Sequence, residues 1–210
     1  MKKIVFIGIS GLAVVAIAGV IAFQTIAAKE EARKPETGKS VEVSPKAAKA
    51  LQEKIDKIQN AENDPQHKRG SKRVEVSESE LESYLLYSLK EDIPARVDSA
   101  DVQIGQDTVS LDTQITFSAN ATGNPVADAL VGGTHNLFVK GKLVGQEGRG
   151  KFDLQEVRVD GIPVPNVLIQ TLIKKYVNPK YPEVDLNEPF DMPWKIQEVK
   201  LVPSKATVVY

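Results

Sequence analysis

The sequence predicts an α+β fold: a bent antiparallel sheet wrapping one or two helices, preceded by a transmembrane helix. Three observations carry this expectation. An uncharged run extends from Ile4 to Phe23. Apolar and polar residues alternate through much of the stretch from Asp101 to Asp160, and a further strand pattern follows Trp194. That period of two marks strands with one dry and one wet face. Two segments, 78–89 and 166–176, instead carry apolar residues at helical spacing.

Lys2 and Lys3 precede the apolar run. At ~1.5 Å per residue it spans about 30 Å, the hydrocarbon thickness of a bilayer. Secretory signal cores are shorter, roughly 7–15 residues. A retained anchor is therefore favoured over a cleaved signal, although the small residues around Ala27 and Ala28 would suit a signal peptidase. Residues 1–28 are assigned to this segment. Flanking charge leaves its orientation open, with Lys2 and Lys3 on one side and Lys29, Arg33, Lys34 and Lys39 on the other. A basic tip followed directly by an apolar core is how export signals begin. The expected location is thus a single-pass membrane protein with an extracytoplasmic C-terminal domain.

Residues 29–72 read as a charged linker with one helix. "KEEARKPETGKSVEVS" has no periodicity. Ser44 before Pro45 is an N-cap and first-turn pair. Leu51, Ile55 and Ile58 then share a stripe, supported by Glu53 and Lys57 four apart. The stripe is narrow, so a spacer, or a helix lying loosely on the domain, is expected. There are too few heptads to argue a coiled coil. "ENDPQHKRGSKR" should end the helix as a basic, flexible hinge.

The compact domain is expected over residues 73–210. Ser77 and Glu80 form a capping box, each side chain serving the other residue's free amide. The helix it starts should stop before Pro94. Turns are expected at Gly105–Asp107, within "GQEG" and at Pro203–Lys205. Phe152 and Leu154 are out of phase with Val157 and Val159, so a bulge near Gln155 and Glu156 is required to keep one dry face. Pro163 and Pro165 should end ladder bonding, with Pro165 in the first turn of the next helix. In that helix Val167, Leu168, Ile169, Leu172, Ile173 and Tyr176 cover more than half the circumference. One helix on one sheet needs a narrower stripe. The surplus faces a second helix, a ligand or a membrane, with core packing the plainer reading.

Composition excludes several classes. A formal net charge of −1 gives no electrostatic case for nucleic acid. With no cysteine there is no disulfide, thiol nucleophile or thiolate metal site. Gly145 to Phe152 matches a phosphate loop but has Phe where a magnesium ligand is needed, and a strand follows; it reads as a hairpin turn. His67 is placed in the hinge, and His135 reads as a turn or packing residue. Asp98, Asp101, Asp107 and Asp112 lack calcium-loop spacing and read as strand-edge and turn residues. No serine lies in a nucleophile elbow. Asn120 begins a glycosylation sequon. No cofactor, metal site or enzymatic activity is expected.

The order of anchor, capped helix, alternating strands, "GIPVP" with an apolar helix, and "PFDMPWKIQEVKLV" with a final hairpin resembles small bacterial membrane-anchored domains of the YpmS and LmeA-like type. Those are similar to half of a tubular lipid-binding (TULIP-like) barrel. The resemblance covers roughly residues 74–210 and implies a bent sheet around a helix, with acyl chains between them. The chain departs from it in the extra helix at 45–60 and in lacking a lipobox cysteine. A non-catalytic domain binding a lipid or other apolar ligand is expected. Its cavity candidates are Leu81, Leu85, Ile115, Phe117, Leu168, Ile169, Leu172, Ile173, Tyr176 and Trp194. The alternative, from a different class, is a structural or interaction module of a cell-envelope complex without ligand. Expected partners are the membrane, through the N-terminal helix, a lipid, and an envelope protein of unknown identity.

Overall fold

Ser44 opens the first helix, α1 (Pro45–Glu62), with its hydroxyl accepting the Ala47 amide at 3.2 Å and a proline following as predicted. The computed structural model describes residues 43–88, 95–117, 133–172 and 188–210. The apolar run 4–23, most of the linker, and the Asn120 loop lie outside the described residues, as do Ile173 and Tyr176. None of the described helices is long and apolar enough to cross a membrane.

α1 is not a loose spacer. Ala48, Leu51, Ile55, Ile58 and Ala61 are all buried. Leu51 and Ile55 belong to the main core cluster with Leu81, Val102, Leu111, Leu143 and Phe152. The alanines at 48 and 61 extend the apolar stripe at both ends and let the helix approach closely, a signal that reading only the large residues overlooks. The compact unit therefore includes α1 and does not begin at residue 73.

β1 (Arg73–Ser77) runs directly into α2 (Glu78–Tyr87), and the expected capping box forms. Glu80 N–H donates to the Ser77 hydroxyl at 3.3 Å, and Ser77 N–H donates to Glu80 Oε2 at 3.0 Å. The same Glu80 carboxylate pairs with Lys54 of α1 at 2.6 Å. The Ser44 amide donates to Ser83 Oγ at 3.1 Å. The two helices are thus pinned through the residues that start them.

Four long strands follow: β2 (Ala95–Ile104), β3 (Thr108–Phe117), β4 (Gly133–Gln146) and β5 (Arg149–Val159), each antiparallel to the next. The turns fall where expected. Asp107, Glu147 and Gly148 take left-handed backbone angles (φ 55°, 54° and 78°), as tight hairpins require. Residues 145–152 are therefore a hairpin. The predicted bulge is present: Lys140 pairs with Glu156 but Gly141 with Leu154, leaving Gln155 unmatched. The extra residue restores phase, so Phe152, Val157 and Val159 are all buried.

β8 (Glu198–Val202) and β9 (Lys205–Val209) form the last hairpin, and β9 also pairs with β1. The sheet order is β1-β9-β8-β4-β3-β2, with β5 on the other side of β4. Only Gly145 and Val199 pair β4 with β8. The β2–β3 turn reinforces this junction. Asp107 N–H donates to Leu201 O at 3.3 Å, and Asp107 O accepts from Leu143 N–H at 3.0 Å.

Past β5 the chain reverses at Asp160 and Gly161. The prolines do not end pairing at once. β6 (Ile162–Pro163) bridges back to Arg158 and Val159, and Val164 N–H donates to Val157 O at 2.9 Å. This sheet edge needs no amide from Pro163. Pro165 precedes α3 (Asn166–Leu172) rather than lying in its first turn, and its carbonyl accepts from Ile169 N–H at 3.2 Å. β7 (Phe190–Asp191) pairs with Arg149 and Gly150. Here "PFDMPW" finds a structural role. A Cβ at Gly150 would lie 2.8 Å from the Phe190 ring, and one at Gly145 2.9 Å from Met192 Sδ. Two opposed glycines make the notch that these side chains fill.

The hinge expected over Glu62–Arg73 is anchored. His67 is 8 % exposed and its ring lies 5.4 Å from that of Tyr210. Lys72 N–H donates to Tyr210 O at 3.0 Å, and Tyr210 N–H donates back to Lys72 O at 2.9 Å.

Candidate functional site

The dry face of β3, β4 and β5 supplies the apolar surface on which the predicted site depends. Leu111, Val139 and Val157 form one cross-strand row, and Thr113, Leu137 and Val159 the next. Ile115 stands opposite His135 in a third. Ile115, Leu137 and Val139 are at most 1 % exposed. Thr113 is buried too, its hydroxyl satisfied by donating to Ser99 O at 2.6 Å. On α3, Ile169 is buried whereas Val167 is 72 % exposed.

His135 sits at the rim of this surface. Its Nδ1 lies 2.8 Å from Asp160 Oδ2, while Asp160 Oδ1 accepts the Asn136 amide at 2.8 Å. Asp160 holds a left-handed backbone angle (φ 51°) in the turn after β5. The pair closes that turn against the start of β4. The packing role expected for His135 is thus joined by a hydrogen bond to Asp160.

The predicted cavity residues divide. Leu81 and Leu85 join the main core cluster beneath α1 and α2. Ile115 and Ile169 are buried. Trp194 packs in a different cluster, with Ile58, Ala61, Val208 and Tyr210. Phe117 ends β3, and Leu168 and Leu172 lie in α3, but the side chains of these three are outside the described set. The described candidates therefore do not all gather around one cavity.

Acidic groups cluster at the β2 edge of the sheet. β2 is an edge strand. The Val102 amide donates to Glu82 Oε1 at 2.9 Å and the Ile104 amide to Glu78 Oε1 at 2.7 Å. Glu78 and Glu82 stand one helical turn apart, so their carboxylates meet every second residue of the strand. Burial pushes the Glu82 carboxyl up from its ordinary value; the Val102 bond opposes this, and the Asp101 and Glu78 charges add to it. On the wet face Asp101 is directly opposite Asp112. Desolvation, then the Asp101 charge, raises the Asp112 carboxyl, with Arg158 opposing. Arg158 itself lies over the Phe138 ring, 4.3 Å from its centroid. Asp98 is lowered, first by the Thr116 hydroxyl that bonds it and then by Arg96.

Sequence reading missed these edge caps. Its available signal was two glutamates four apart on one helix face, which repel unless each has its own donor. Among the described residues no group of three or more histidine, aspartate or glutamate side chains is placed to hold a metal ion. No protein-family model matches the chain, and no curated protein sequence matches it significantly.

Proposed function

We propose that this chain is a non-catalytic, membrane-anchored extracytoplasmic domain that binds a lipid or other apolar ligand. In this reading residues 4–23 form the anchor. The sheet curves around α3, and an acyl chain lies between that helix and the dry face. The observation that carries it is the apolar surface of Ile115, Leu137, Val139, Val157 and Val159 on the buried face, with Thr113 and His135 as its polar members. The over-wide apolar face of residues 167–176 in the sequence supports it.

A second reading is favoured by one specific observation. Leu137 is 0 % exposed and Ile115 and Val139 1 %, with no ligand needed to cover them. On that basis the domain is a structural or interaction module of a cell-envelope complex with a closed core.

Organic extraction of the purified full chain followed by mass spectrometry separates the two. Reproducible stoichiometric lipid, reduced in Leu168→Ala or Ile169→Ala protein that still folds, supports binding. A folded monomer that carries no lipid overturns it in favour of the interaction module.

A further inference from the structure

His67 is buried at a junction where three parts of the chain meet, and neither ring nitrogen has a partner. Both Nδ1 and Nε2 are sealed from solvent and without a hydrogen bond. The residue is 8 % exposed, and its ring packs on Tyr210. A neutral imidazole always carries one N–H donor and one lone pair. Leaving both unsatisfied in an apolar site is unfavourable, and an imidazolium there, with two donors and a full charge, is much more so.

Neither ring nitrogen meets a hydrogen-bond acceptor that could hold that charge. From α1 the adjoining cluster presents Ile58 and Ala61, from β1 Val74, and from β9 Val208 and Tyr210. The ionisable groups nearby are mainly basic. Lys68, Arg69 and Lys72 share the loop of His67. Lys195 reaches the carbonyl oxygens of Ala61 and Asp64 at 3.5 and 3.4 Å. The one carboxylate engaged in this loop, Asp64, accepts the Gln66 amide. The phenol of Tyr210 is uncharged at neutral pH.

The same corner contains backbone strain. Trp194 and Lys195 both hold left-handed angles (φ 53° and 59°), in a turn closed by Ile196 N–H donating to Pro193 O at 3.0 Å. Two consecutive non-glycine residues there are unfavourable. The packing of Trp194 in the cluster and the reach of Lys195 to the end of α1 help to hold them. The strained turn at Trp194 and Lys195 and the unpartnered histidine thus adjoin the same small cluster.

We propose that His67 is an acid-sensitive latch. Protonation expels the imidazole from its site beside Tyr210, releasing loop 63–72 and the C-terminal end of α1. Leu51 and Ile55 stay in the main core, so the rest of α1 remains docked. The device loosens one corner of the domain, and it does not depend on lipid binding.

The test uses the full chain in mild detergent. Amide exchange, corrected for the intrinsic effect of pH, is measured at about pH 7.5 and about pH 5.0, the range in which histidine changes charge. Lys72 and Tyr210 amides should lose about tenfold more protection in acid than amides of β3 and β4, the signature of local opening. Trp194, the single tryptophan, should shift its emission over the same range. His67→Phe, which stacks without titrating, should abolish both changes. Should that variant not fold, His67→Gln serves the same purpose. Equal acid response of both amide groups in the wild type overturns the proposal, as does an acid response that persists in a folded variant.

Discussion

Glu82 Oε1 accepts the Val102 amide at 2.9 Å, and this bond seals an edge strand with a buried carboxylate. Exposed strand edges invite pairing with other chains. Here Glu78 and Glu82 occupy the amides that a foreign strand would use. Removing the acceptor by Glu82→Ala should cost about 1–3 kcal/mol, the penalty of stranding a buried amide. It should also raise aggregation, which light scattering would detect.

Glu82→Gln keeps an acceptor and removes the charge. The folded state holds the Glu82 proton more tightly than the unfolded chain does. Its contribution to stability is complete below the ordinary carboxylate range and is lost as pH rises through the raised value. The Gln variant should therefore gain on the wild type as pH rises toward neutrality. Asp112 has the same sign, and Asp98, whose carboxyl is lowered, the opposite one. Urea melts of both proteins from acid to neutral pH would check this. A constant difference between them would refute it.

The burial of α1 predicts that Leu51→Ala and Ile55→Ala each cost ~2–5 kcal/mol, as at packed core sites. A chain beginning at residue 70 should lose cooperative unfolding in circular dichroism. A stable, cooperative truncation would return α1 to the spacer role that its large residues alone suggested.

Gly141 lies under the Phe152 ring, and a Cβ there would overlap the ring. Gly141→Ala should cost about 1–3 kcal/mol through overpacking. Adding Phe152→Leu should recover part of that loss, so the double variant melts above the additive expectation.

Ser77→Ala should cost about 1 kcal/mol, the usual value for a lost N-cap. Glu80 also binds Lys54, so the loss should not stay local. A thermal-melt cycle of Ser77→Ala with Lys54→Met should show coupling above about 0.5 kcal/mol. Strict additivity would mean that the cap and the inter-helix pair act independently.

By itself the sequence determined the elements whose causes are local. The Ser77–Glu80 box, the Ser44–Pro45 start and the three hairpin turns each depend on residues within a few positions of one another. Even the Gln155 bulge was legible, because two apolar phases along one strand leave only an extra residue to reconcile them. Tertiary structure alone decided what lies far apart in the chain. Whether α1 packs or dangles depends on the space that Leu81 and Phe152 leave for Leu51 and Ile55. The glutamates of α2 become edge caps only when β2 arrives in register with them. His67 reads as part of a polar hinge until Tyr210, from the last strand's end, closes over it. Periodicity reports which face of an element is dry, but the partner that covers that face is chosen by non-local packing.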